Sequence, residues 1–99
     1  MMFMTGTTAL VNLTHIPRED LAILEGQDKL PILVGRDPGS FVVAVERDWT
    51  AAALGAVFSA PFVDLLMSTQ QQGCCWVRFD EEAPTYPELP TYGRWGRGY

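Results

Sequence analysis

The side chains able to do chemistry are few and far apart. His15 is the only histidine, so a pair of histidine metal ligands is out of reach and any nucleophile has one imidazole to draw on. It falls at a strand-to-helix junction, beside Thr14 and near Glu19. A general base must reach its nucleophile within hydrogen-bond distance, and Ser40, Ser59 and Ser68 fall on turn, cap and helix positions. His15 therefore reads first as a hydrogen-bonded junction residue. Cys74 and Cys75 are the only cysteines. Neighbours on a strand point to opposite faces and are poorly placed to bond to one another, so one core thiol and one surface thiol are expected. There is no second pair for zinc and no CxxC spacing to activate a thiol. An enzyme or ligand-binding domain built on His15 or Cys75 would need one of them beside a carboxylate in a concave site.

The carboxylates are better grouped. Asp80, Glu81 and Glu82 run together, and Glu88 follows shortly after. Consecutive acids at a strand end usually form a solvated rim, and calcium or magnesium needs ligands in a defined geometry. No EF-hand pattern is present, and Gly93-Arg94-Trp95-Gly96-Arg97-Gly98 lacks the strand, helix and spacing of a phosphate loop. No metal and no cofactor are expected. From residue 83 to 99 the chain is rich in proline (Pro84, Pro87, Pro90) and aromatics (Tyr86, Tyr92, Trp95, Tyr99). Such a tail cannot be helical, and its rings argue that it packs on the domain, on a partner, or on both. Asp80, Glu81, Glu82 and Glu88, with Tyr86, Tyr92 and Trp95 as anchors, form the candidate binding set.

Charge limits the partners. Twelve acidic residues against seven basic ones leave a net charge of −5. Lys29 and six scattered arginines make no basic patch, so direct nucleic-acid binding is disfavoured. A basic protein, such as a nucleic-acid-binding protein or complex, is the partner an acidic surface suits. The apolar start Met1-Met2-Phe3-Met4 carries no basic residue and reads as no signal peptide. The uncharged stretch from Trp49 to Val63 is too short to span a bilayer. A cytoplasmic location and no membrane role are expected.

The elements that must position these residues follow from periodicity. The 99 residues fit one domain. Thr7 to Leu13 alternates as a first strand, with Ala9, Val11 and Leu13 on one face. Pro17, Glu19 and Asp20 open a short helix that ends at Gly26. Leu30 to Gly35 and Phe41 to Glu46 flank Pro38-Gly39, the signature of a type II turn, and read as a hairpin. Arg47 to Thr50 begins a helical region broken near Ser59-Ala60-Pro61. Phe62, Leu65, Leu66 and Thr69 then line one helical stripe, ended by Gly73. Cys74 to Phe79 forms the last strand, with Cys75, Val77 and Phe79 on one face. The order β-α-β-β-α-β predicts an α+β fold of the ferredoxin-like, split-βαβ kind: an antiparallel sheet with two helices on one face and an extended tail. The strand Phe41–Glu46 would offer an edge for a homodimer.

The stretch Gly73-Cys74-Cys75-Trp76-Val77-Arg78-Phe79-Asp80, followed by Leu89-Pro90-Thr91-Tyr92, resembles the C-terminal signature of a family of small uncharacterised proteobacterial plasmid and mobile-element proteins. Cys75 stands where that family usually has an acid, and Trp95 comes later than its counterpart. The family is a domain of unknown function, so the resemblance implies context and no activity. That context suits a non-enzymatic protein-binding domain, one form of which is an acidic anti-defence inhibitor, similar to anti-CRISPR proteins, that presents carboxylates where phosphates would lie. A structural or oligomeric module is a further alternative.

Overall fold

The computed structural model describes residues 7–26 and 30–92. In chain order the elements are β1 (Thr7–Asn12), a 3-10 turn (Leu13–His15), α1 (Arg18–Gly26), β2 (Val34–Asp37), β3 (Ser40–Ala44), α2 (Ala51–Gly55), α3 (Ala60–Gln71) and β4 (Cys74–Asp80). They form a small α+β fold with one four-stranded sheet in the order β1-β4-β3-β2. β3 pairs antiparallel with both β2 and β4, while β1 lies parallel to β4. The sheet is mixed. This corrects the expected antiparallel sheet and the simple six-element order.

The reason lies between β3 and β4. These strands are antiparallel neighbours, so the chain must re-enter the sheet at the end where it left. A single helix would carry it to the wrong end. Here residues 45–58, with α2, climb the sheet and α3 brings the chain back. Both ends of that return are tied down. At the lower end Gln70 Nε2 donates to the carbonyls of Glu46, Arg47 and Trp49 at 2.9, 3.2 and 3.1 Å. At the upper end both oxygens of Asp20, fully buried in the first turn of α1, accept from Ser59, one from its N–H and one from its hydroxyl. Ser59 is the residue before α3, and its own side chain makes no capping bond. The carboxylate from α1 thus supplies the negative charge that a helix start favours.

The inner face of the sheet is a pair of cross-strand rows. Val11, Phe79 and Phe41 stand side by side in one, and Ala9, Val77, Val43 and Val34 in the next. Buried residues of all three helices join them in a single core. Phe62 of α3 meets Phe79 with ring centres 5.8 Å apart, and Phe58 stands edge-on to Phe62 at 5.1 Å. The other face stays open, with Leu10 and Trp76 each 46% exposed.

The hairpin turn forms as its residues predict, with Gly39 at φ +76°, and Gly73 ends α3 at φ +79°. Two expectations fail. β3 lies inside the sheet between β2 and β4, so the strand at Phe41–Glu46 has no free edge; the outer strands are β1 and β2. Neither cysteine is in the core. Thr7 pairs with Cys74 and Thr8 with Trp76, so Cys75 is the extra residue of a bulge, which displaces it from the inward row.

Because Phe79 has no exposed surface and sits under Phe62, Phe79→Ala should lower stability by about 3–5 kcal/mol. Leu10→Ala on the open face should change it by less than about 0.5 kcal/mol. Urea unfolding compares the two, and equal losses would contradict this assignment of the faces.

Candidate functional site

Parallel pairing brings the ends of β1 and β4 together, with Asn12 opposite Asp80 and Asp80 opposite Ser40. Asn12 is buried there and uses its full hydrogen-bonding capacity. Its Oδ1 accepts from the N–H and the hydroxyl of Thr14, at 2.9 and 2.7 Å. Its Nδ2 donates to the carbonyls of Glu81 and Ala83, at 3.3 and 2.6 Å. Rotating the amide would set donor against donor, so its orientation is fixed by the partners. One side chain therefore shapes the turn after β1 and the turn after β4.

His15 continues the bridge. The residue is 3% exposed and both ring nitrogens face backbone groups of the tail. Nδ1 lies 2.8 Å from the Pro90 carbonyl, which can only accept, so this nitrogen carries the proton. Nε2 lies 2.9 Å from the Tyr86 N–H, which can only donate, so this nitrogen offers its lone pair. The Tyr86 ring leans on the imidazole at 6.1 Å between centres, and its hydroxyl donates to the Leu10 carbonyl of edge strand β1 at 2.6 Å. The Tyr92 N–H donates to the Thr14 carbonyl at 2.7 Å. The tail is thereby fastened along β1 and the 3-10 turn, and it blunts that edge. His15 is a brace. Cys75 sits at the opposite end of the β1–β4 pair, about 15 Å away by strand rise, so the two do not meet.

The candidate acids divide into one structural residue and three surface ones. Asp80 accepts from the Glu82 N–H at 2.9 Å and from Arg78 Nε at 3.1 Å. The Glu82 amide first, then the Arg78 guanidinium, hold its carboxyl below the usual 3.8. Glu81, Glu82 and Glu88 are exposed, and Tyr86 and Tyr92 are half-buried. Trp95 lies outside the described residues. The backbone beneath the acids is held by Asn12 and by the Glu81 N–H donating to the Gly39 carbonyl at 3.1 Å.

Beside this rim a cleft of about 520 Å³ opens between α1 and the hairpin turn. Leu13, Leu21, Phe41 and Pro38 give it apolar walls, and Glu25, Asp37, Glu81 and Arg36 give it charge. Gly39 lies so close under Glu81 that a Cβ there would stand 3.1 Å from the carboxyl carbon. Neither His15 nor Cys75 lines this cleft. Among the described residues no three His, Cys, Asp or Glu side chains converge as a metal site would require.

Sequence reasoning passed over Asn12, Asp20, Arg36 and Gln70. Arg36 donates from Nε to the Leu24 carbonyl at 2.7 Å, near the end of α1. Asp20 was legible only as a charge at its own helix start. Only Asn12, polar between Val11 and Leu13, interrupts an apolar run; Asp20, Arg36 and Gln70 sit among polar neighbours, and each of the four has a partner 12 to 71 residues away.

The chain belongs to the family DUF5983, a family of unknown function: the model of the family's C-terminal domain matches residues 9–94. No curated protein and no solved structure matches it. No helix among the described residues is long and apolar enough to cross a membrane.

Two outcomes follow from the brace and the rim. His15→Phe keeps the ring's bulk but leaves the Tyr86 N–H and Pro90 carbonyl unpaired, so stability should fall by about 1–3 kcal/mol. Amide exchange should quicken at Tyr86 and Tyr92 well before Val77 and Phe79; an unchanged rate at Tyr86 would contradict the bridge. Asp80 has a lowered folded pKa, so its contribution is complete above its unfolded value of about 3.9. It is lost as pH falls through the lower folded value. In urea titrations from pH 5 down to pH 2, Asp80→Asn should flatten the acid limb below pH 4, and an identical limb would refute the role given to Asp80.

Proposed function

We propose that this domain is a non-enzymatic protein-binding module that offers a fixed acidic rim to a basic partner. The observation that carries this reading is the fastening of the turn under Glu81 and Glu82. Asn12 takes the Glu81 and Ala83 carbonyls, Gly39 takes the Glu81 N–H, and Asp80 takes the Glu82 N–H. Exposed glutamates on a backbone held this way lose little freedom on binding, and preorganisation of that kind strengthens an interface without adding area. The net charge of −5 acts in the same direction, speeding encounter with a basic surface.

The resemblance to mobile-element proteins supplies a context. In it, the partner is a host nuclease or another nucleic-acid-binding complex, and the carboxylates take the place of phosphates. The enzyme alternative is weaker on geometry, since both nitrogens of His15 are engaged by the tail.

The test keeps Asp80, which holds the turn, and changes only the surface acids. The triple variant Glu81→Gln, Glu82→Gln, Glu88→Gln should keep its urea midpoint. It should lose the protein captured by the unaltered domain from source-cell extract, read by quantitative mass spectrometry. In cells that cut a targeted plasmid, the unaltered domain should raise plasmid survival and the triple variant should not. Capture and protection that persist in the triple variant would overturn the acidic-rim reading.

A further inference from the structure

We propose that the chain's own first residues, Met1 to Met4, lie across the open face of the sheet and cover the apolar row at the end where β1 begins. That row is the first observation. Thr8, Trp76 and Ala44 stand side by side in it. The Ala44 N–H donates to the Leu33 carbonyl at 3.1 Å, which adds Leu33 at the far side. Ile32 and Val34 belong to the core, so Leu33 between them turns to the open face. Three large hydrophobic residues are exposed among the described residues, and all stand on this face: Trp76 and Leu10 at 46%, Leu33 at 68%. Single apolar residues scattered over a surface are ordinary, but neighbours gathered on one face mark an interaction site. Arg78, in the next row, is held by Asp80 at 3.1 Å and leaves this row uncharged.

The size of the row selects its occupant. The outer strands of a four-stranded sheet lie about 14 Å apart and successive rows on one face about 7 Å apart. Such an area is far below the roughly 800 Å² that each partner gives to a stable interface, so a second copy of the chain does not suit it. A single segment does.

The second observation is the place where the chain enters the sheet. Thr7 pairs with Cys74 and Thr8 with Trp76, so the residues before Thr7 are delivered to the start of this row. They are Met1-Met2-Phe3-Met4-Thr5-Gly6: four apolar side chains, no charge, and a glycine able to make the reversal onto the face. Four extended residues span about 13 Å, so Phe3 and Met4 reach Trp76 and Ala44, and Met1 and Met2 reach Leu33. Thioethers and phenyl rings pack favourably on an indole. Residues 93–99 suit this row less well. They follow Tyr92, whose N–H is held by the Thr14 carbonyl beyond the opposite end of β1, and they carry Arg94 and Arg97. The cover does not rest on the acidic-rim reading, because it occupies the other end of the sheet.

Nuclear Overhauser spectra of the whole chain, labelled at the methionine methyl groups, test the cover. Contacts from Phe3 and Met4 to the Trp76 indole are expected, with intensities that do not change on dilution. The double variant Phe3→Ser, Met4→Ser should shift the amides of Trp76, Ala44 and Leu33 and leave those of His15 and Tyr86 in place. Trp76→Ser should in turn move the Met4 methyl signal to the position of a free methionine. Contacts found only between differently labelled copies would put a second chain on the face and overturn the proposal. So would an absence of contacts, or shifts as large at His15 and Tyr86 as at Trp76. The partner assay of the acidic rim reads a different surface, so either proposal can fail alone.

Discussion

The arrangement of this domain depends on the parallel contact between its first strand and its last. Because β1 and β4 end at the same edge, the residues that follow each are delivered to one place. Asn12 and His15 then fasten what comes after β4 to what comes after β1. A parallel pair separated by about two-thirds of the chain has little local help in forming, and its cost in loop closure is met by the core beneath it. The row Val11–Phe79–Phe41 and the packing of Phe62 on Phe79 supply that core. The end of the sheet that carries the acidic rim is thus a consequence of the sheet order.

The polar residues at that end are selective in what they hold. Asn12, His15 and Asp80 aim at backbone groups, and they fix the path of the chain while leaving the neighbouring side chains to solvent. Glu81, Glu82 and Glu88 are exposed as a result. Burying Asn12 and His15 is favourable only when their partners are complete, and both satisfy this in full. Ser40, in the next register position beyond Asp80, does not.

What the sequence makes legible here is what neighbours decide. Pro38-Gly39 sets its own turn, Gly73 ends its own helix, and of the stripe Phe62, Leu65, Leu66 and Thr69 all but the half-buried Leu65 are buried. The acidic run does sit at the end of the last strand. Sheet order was not legible, because no local pattern says that β1 inserts beside β4. The break at Ser59-Ala60-Pro61 was the available clue: it divides the helical region in two, and two passes return the chain to an antiparallel neighbour. Alternation puts Cys75 inward, and a single bulge residue defeats it. The sequence puts His15 at its strand-to-helix junction, but its partners lie 71 and 75 residues further on.

The central claim is that one neutral imidazole, protonated at Nδ1, joins the tail to the end of the first strand. Long-range proton–nitrogen correlation of the His15 ring at neutral pH tests it most directly. The account predicts a protonated Nδ1 and an unprotonated, hydrogen-bond-accepting Nε2. A ring protonated at Nε2, or averaging between tautomers as a free histidine does, would contradict it.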